Sequence, residues 1–404
     1  MHHNPSRRAV LAGAAGLAMT IAAGAHAQDT PGVTDTTIRI GNTNPYSGPA
    51  SAYSVIAETI RAWFDKLNAE GGINGRTLEF ISYDDAYSPP KTVEQTRRLV
   101  EGDEVLLVFA SLGTATNSAV HDYLNERGVP QLFVASGASK WGDPEGHPWT
   151  MAWQPVYTTE ADIYARYILE NRPEGRIGVL YQNDDYGKDY LDGLRAGLGD
   201  KADSMIVAAL PYETTDATID SQIINLKASG ADVFLNVATP KFAAQAIRKA
   251  AEIGWEPLHL LNSVSQSVGA VLEPAGLDAS RGIISAAYLK DAGDPQWADD
   301  EEMAAWRAFM DEHYPDGDRN SNLTVYGYAV AQALEHVLRT AGDDLSRENI
   351  MKVAAGMDNV HVPMLLPGIS MTTSESDYFP LQQMQLMRFT GERWELFGDI
   401  IAGS

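Results

Sequence analysis

The sequence predicts an α/β protein built as two doubly wound, parallel-sheet lobes, and three observations carry that expectation. Strand-like apolar runs alternate with segments whose apolar residues recur at helical spacing. The strand-like runs are continuously apolar, as in parallel strands covered by helices on both faces. The alternation also starts afresh near Ala161, in a chain whose 404 residues exceed what one hydrophobic core organises.

In the first half, Ile38 to Asn42 reads as a strand, and Ile56, Ile60, Trp63, Phe64 and Leu67 form one helical stripe. Gly71-Gly72-Ile73-Asn74-Gly75 ends that helix, and Leu78 to Tyr83 is the next strand. A helix near Thr92 to Glu101 precedes the apolar strand Val105 to Phe109, and a helix Thr114 to Arg127 precedes the strand Gln131 to Val134. In the second half a helix carries Ala161, Tyr164, Ala165, Ile168 and Leu169. Strands follow at Arg176–Tyr181, Met205–Leu210, Asp232–Val237, His259–Leu261 and Gly282–Ala286. Helices lie at Tyr186–Gly199, near 218–229 and near 241–253. Two more carry Met303, Trp306 and Met310, then Tyr326 through Leu338. A hairpin turned by Thr390-Gly391-Glu392 closes the chain. Right-handed crossovers between parallel strands make each lobe doubly wound.

The N-terminus reads as an export signal over residues 1–27. Ser6-Arg7-Arg8-Ala9-Val10-Leu11 opens a weakly apolar run to Ala25, and Ala25-His26-Ala27 offers a small-x-small cleavage site, placing cleavage near Ala27 and the rest in the periplasm. The run is too short to span a bilayer well, and nothing after Ala27 approaches spanning length, so the mature chain is expected to be soluble. Taking Arg7 and Arg8 from the 30 basic residues leaves 28 against 54 acidic ones, a balance of −26. Such acidity repels phosphate backbones and anionic lipid, which argues against nucleic-acid or membrane-surface partners. The absence of cysteine excludes disulfides, thiolate metal sites and cysteine nucleophiles.

Catalytic signatures are missing too. No nucleophile elbow, phosphate loop or dinucleotide fingerprint follows a strand, so no enzyme activity and no cofactor is expected. The six histidines beyond the leader (His121, His147, His259, His313, His336 and His361) lack metal-ligand spacing, and His121-Asp122 reads as a solvated pair. The acid pairs Asp84-Asp85, Asp184-Asp185 and Asp343-Asp344 suit turns and caps.

What remains is a set of loops at the carboxyl ends of strands, where open α/β sheets bind ligands. Asn44 to Tyr53 follows the first strand, Ala110-Ser111-Leu112-Gly113-Thr114 the third, and Ala135-Ser136-Gly137-Ala138-Ser139 the fourth. Backbone N–H groups and hydroxyls at a helix start hold an anion without needing lysine or arginine.

Several runs resemble the periplasmic leucine/isoleucine/valine-type binding proteins, the extracytoplasmic receptors of ABC importers. They are Ile38-Arg39-Ile40-Gly41, Ser47-Gly48-Pro49, Asn68 to Arg76, Tyr83-Asp84-Asp85, Tyr186 to Tyr190 and Leu226 to Val233. The resemblance implies a type I periplasmic binding fold with three crossovers, the first lobe spanning 36–155 and 288–377, the second 156–287 and 378–404. It implies a monomer that closes on a small-molecule ligand and partners a membrane permease and ATPase. Residue by residue, it puts Tyr53 over the ligand and the carboxylate on Ser111, Leu112, Gly113, Thr114, Ala138 and Ser139. Members commonly have serine where Gly113 falls, so here the Gly113 N–H would serve, helped by Ser111 or Thr114. The second lobe would supply Tyr186 and residues near Thr239, and the hinge-side helix Tyr326 or Tyr328, if these are not simply core.

Amino-acid-binding members hold the ligand ammonium with an acid after the strand matching His259–Leu261. This chain has Asn262-Ser263-Val264-Ser265 there, with Ser263 the position facing the site. An unpaired buried ammonium costs on the order of a few kcal/mol, so an aromatic or aliphatic carboxylate is expected rather than a simple amino acid. The alternatives are a binder of branched-chain or other amino acids and a sensor subunit that reports occupancy to a membrane receptor.

Overall fold

A computed structural model describes residues 1–2 and 30–403; all but the first two residues of the expected leader lie outside the described residues. The first sheet holds β1 (Thr37–Asn44), β2 (Thr77–Asp84), β3 (Leu107–Phe109), β4 (Gln131–Val134) and β5 (Thr150–Ala152). Its order is β2-β1-β3-β4-β5 with every pair parallel. The second holds β6 (Ile177–Gln182), β7 (Ile206–Tyr212), β8 (Val233–Val237), β9 (Leu258–Leu261), β10 (Ile284–Ala287), β11 (Gln383–Phe389) and β12 (Trp394–Ala402). Its order is β12-β11-β10-β9-β8-β6-β7, parallel except where the terminal hairpin adds to β10 antiparallel.

Every residue of β3, β4, β8 and β10 is buried, which accounts for their largely apolar character, with Gln131, Asn236 and Ser285 the polar exceptions. Helices Ser54–Ala69 and Asn322–Ala341 pack closely, and Gly327 allows it: a Cβ there would lie 2.7 Å from the Ile56 carbonyl oxygen. The chain crosses between lobes three times, between β5 and the helix Tyr157–Asn171, after β10, and ahead of β11. No helix among the described residues is long and apolar enough to cross a membrane.

Two local expectations need correction. The helix expected over Thr114–Arg127 is two pieces, Thr114–Ser118 and His121–Glu126. Thr116 Oγ1 donates to the Leu112 carbonyl, and Asn117 Nδ2 donates to the Ser111 and Gly113 carbonyls at 2.8 and 2.7 Å. These side chains tie the short helix to the loop before it and compete with regular continuation. The strand β5 was missed because three residues carry no readable period.

Candidate ligand-binding cleft

The carboxyl ends of the two sheets face a common cavity with about 610 Å³ of atom-free space, part of it open to solvent. From the first lobe come Tyr53, Ile56, Tyr87, Leu112, Gly113, Thr114 and Ala135; from the second, Tyr157, Tyr186, Thr239, Ser263, Val264 and Gln266. Gln154, Tyr288 and Leu289 line it from the crossing strands, and Asn322, Leu323 and Tyr326 from the helix Asn322–Ala341. Among the described residues no aspartate, glutamate, lysine, arginine or histidine lines it.

Tyr53, Leu112, Gly113, Thr114, Tyr186, Thr239, Ser263 and Tyr326 therefore meet in one space. Ser111, Ala138 and Ser139 do not line it. The buried Ser111 hydroxyl accepts from the Thr43 N–H at 2.9 Å. Ala138 is fully buried. The Ser139 N–H and hydroxyl hold the two carboxylate oxygens of Asp189, on the helix Asp185–Leu198, at 2.7 and 3.0 Å. Nor is the Gly113 N–H free, because it donates to the Ala135 carbonyl at 3.1 Å. Tyr328 is core, packed between Trp63 and Phe309 with ring centroids 5.0 Å from each.

The polar groups of the cavity are unequally matched. Tyr186 and Tyr326 bury hydroxyls with no partner. Tyr87 and Tyr157 only accept, from Gln182 Nε2 at 3.4 Å and Gln154 Nε2 at 3.3 Å. Ser136 Oγ accepts from Trp141 Nε1 at 2.9 Å and from the Ala138 N–H at 3.3 Å, so its own proton goes to Thr114 Oγ1, 2.7 Å away. That leaves the Thr114 proton unused. Five hydroxyl protons thus lack acceptors, against one buried unpartnered acceptor in the lining, Asn322 Oδ1. Burial raises the pKa of Tyr53, Tyr87, Tyr157, Tyr186 and Tyr326, so each keeps its proton at neutral pH.

Two acids stand just behind this lining. Glu160 is buried, and burial pushes its pKa up; its carboxylate accepts from the Ser263 N–H at 2.7 Å, the Ser263 hydroxyl at 2.6 Å and the Tyr164 hydroxyl at 2.8 Å. Asp184 caps the helix Asp185–Leu198, and burial raises it to about 6. The lobes also touch each other across the cleft. Tyr53 Oη donates to the Val264 carbonyl at 3.2 Å, and Lys140 pairs with Asp185 at 3.2 Å.

Away from the cleft, His121 is a correction: it is buried rather than solvated, its pKa lowered by burial to about 4. His121, Asp122 and His147 bring potential ligand atoms within 4.8 Å of one another. The two imidazoles stack at 3.8 Å with an 18° interplanar angle. Their in-plane lone pairs therefore do not converge on one ion at the roughly 2.0–2.1 Å that zinc–imidazole bonds require.

Sequence reasoning missed Tyr87, Gln154, Tyr157 and Tyr288. Tyr87 follows β2, and the rule that ligands sit beyond strand carboxyl ends would have found it. The chain there runs left-handed at Ala86 and Tyr87, with φ of 51° and 57°. Asp84 accepts from the Ala86 N–H and Asp85 from the Tyr87 N–H, both at 2.9 Å, which holds this uncommon backbone.

Comparison with known proteins returns one consistent architecture. The family described as periplasmic binding protein matches residues 37–393. A Leu/Ile/Val-binding protein homolog 7 of Brucella abortus is 24% identical over 270 residues, 63% of this chain and 64% of the relative. The match thus spans just under two thirds of that relative. A substrate-binding periplasmic protein from Ralstonia solanacearum superposes with a TM-score of 0.80 at 25% identity, over 89% of this chain and 100% of that one. A fatty acid ABC transporter substrate-binding protein from Thermomonospora curvata gives a TM-score of 0.75 at 20% identity, over 92% and 94%.

Proposed function

Because the chain belongs to the periplasmic binding protein family, we propose that it is an extracytoplasmic solute receptor whose lobes close on a small organic carboxylate. The residues 36–155 with 288–377 and 156–287 with 378–404 act as the two closing bodies, monomeric, delivering ligand to the permease and ATPase of an ABC importer. Hinge closure of this kind buries the ligand between the lobes.

The observation that carries the ligand class is the excess of donors. Hydroxyl protons on Tyr87, Thr114, Tyr157, Tyr186 and Tyr326 have no acceptor in an uncharged cavity. A carboxylate is acceptor-only, with about four lone-pair sites, and matches such a set. An α-amino acid would add an ammonium. The lining offers it no carboxylate, and Glu160 is separated from the cavity by Ser263. Relatives named for leucine, isoleucine and valine and one named for fatty acid share the fold, so the choice rests on the cavity rather than on names.

A thermal-shift panel on the mature chain tests this. It would include leucine, valine, 4-methyl-2-oxopentanoate, hexanoate, benzoate and benzamide. A ligand at about a hundred times its Kd adds roughly 2.7 kcal/mol, several degrees in Tm. The expected result is a shift with one or more simple carboxylates and none with leucine, valine or benzamide. A shift with leucine or valine would restore an amino-acid ligand.

A further inference from the structure

Gly113 has φ +102°, and a Cβ built there would fall 2.4 Å from Tyr87 Cε2 and 3.1 Å from its Cζ. The phenol ring therefore fills the space a side chain at 113 would take. It is brought there by the left-handed turn at Ala86-Tyr87, clamped by Asp84 and Asp85. Strained non-glycine backbone of this sort persists where the surroundings over-determine it, and it clusters at binding sites.

The Tyr87 hydroxyl has a second relation. It accepts from Gln182 Nε2, on β6 of the opposite lobe, at 3.4 Å. Gln182 Oε1 in turn accepts from the Tyr212 hydroxyl at 3.1 Å, and the Tyr212 oxygen accepts from the Thr239 N–H at 2.9 Å. A chain of polar groups thus runs from the first lobe to the second-lobe loop that also lines the cavity. Its first member still has a proton to give. A hydroxyl that accepts one hydrogen bond becomes a better donor in the next.

We propose that Tyr87 is a specificity-determining residue of this cleft, whose phenol donates to the ligand carboxylate in place of a side chain at 113 and ties that contact to lobe closure through Gln182. The inference rests on the cavity being a carboxylate site. It predicts that the Tyr87 bond to the ligand forms fully only in the closed state, where Gln182 stands beside it.

The test compares Tyr87→Phe and Tyr326→Phe with wild type by calorimetric titration of 4-methyl-2-oxopentanoate, hexanoate and benzoate, alongside the ligand-free Tm. Phenylalanine keeps the ring against Gly113 and removes only the hydroxyl. Tyr87→Phe is expected to weaken binding about tenfold or more, as for a charge-assisted hydrogen bond, with the ligand-free Tm within a few degrees of wild type. Tyr326→Phe should weaken it as well. If Tyr326→Phe weakens binding and Tyr87→Phe does not, Tyr87 is lining only and the proposal is overturned while the cavity stands. If neither variant changes an affinity that wild type shows, the cavity is not the site. If wild type binds none of the three acids, the carboxylate reading falls and this inference with it.

Discussion

Ser139 holds Asp189 by both carboxylate oxygens, through its N–H at 2.7 Å and its hydroxyl at 3.0 Å, and so joins the loop after β4 to a helix of the second lobe. A loop that read as a ligand-carboxylate site is occupied by a carboxylate of the chain itself. The anion chemistry inferred for these residues is present, with a different anion. Lys140 and Asp185, beside them, add a second link across the same gap.

Asp189→Ala should therefore favour the open form. Ligand affinity is expected to fall about three- to tenfold, since removing a charge-assisted pair at the rim costs roughly 1 kcal/mol. Small-angle scattering of the ligand-free variant should give a larger radius of gyration than wild type. Unchanged affinity and radius together would mean that the pair contributes nothing to closure.

Asp85 makes stability pH-dependent. Burial raises its pKa from 3.8 to about 6, against the opposing effect of its bonds from the Tyr87 N–H and the Thr92 hydroxyl. A folded-state pKa above the unfolded one gives a contribution fully present below about 3.8 and lost as pH rises through about 6. Unfolding free energies from urea titrations should fall between pH 4.5 and 7.5, Asp85 contributing on the order of 2–3 kcal/mol at most. Asp184 and Asp291, also raised to about 6 by burial, add to the same slope. Asn fits the same turn without the charge, so Asp85→Asn should make this slope shallower, and a slope of wild-type steepness in the variant would remove Asp85 as a contributor.

Gly113→Ala combines a disallowed backbone with a clash against Tyr87, at φ +102° and 2.4 Å. The loss of stability should be about 1–4 kcal/mol. Binding should suffer beyond what the Tm loss explains, because Tyr87 must leave its place. A crystal structure of the variant with Tyr87 unmoved would contradict this account.

Glu160 organises the loop after β9 from behind. Glu160→Ala removes the acceptor of three hydrogen bonds, two of them to Ser263, and leaves their donors buried. About 2–4 kcal/mol of destabilisation is expected. Hydrogen exchange at the Ser263 amide should accelerate more than at amides of β6. Equal protection at Ser263 in the variant and wild type would argue that the loop is held otherwise.

Much of the fold was legible because buried parallel strands are mostly apolar. Gln131–Val134 coincides with β4, and Asp232–Val237 and His259–Leu261 each meet their strands within one residue. Thr150–Ala152 was not legible, since three residues cannot display a period and Trp153 beside them reads equally as core. The cavity was readable where a residue stands at the start of the helix that follows a strand, as Thr114 and Thr239 do. It was not readable where two candidates share one loop and only packing decides, as with Ser111, whose hydroxyl closes a gap beside Thr43. The place of Tyr87 after β2 marks it as a candidate, but nothing local distinguishes a tyrosine aimed at a ligand from one in the core. Its place depends on Gly113, 26 positions further along the chain.

The bond from Tyr53 to Val264 ends on a main-chain oxygen. Every residue type carries that oxygen, so the contact survives any replacement at 264 that leaves the backbone in place. The side chain of Val264, which faces the ligand space, is thereby released from any duty in bringing the lobes together. Under the receptor function proposed above, mutation at 264 is expected to shift what the cleft accepts and to leave the Tyr53 contact in place. A receptor wired in this way would gain new ligands by single substitutions.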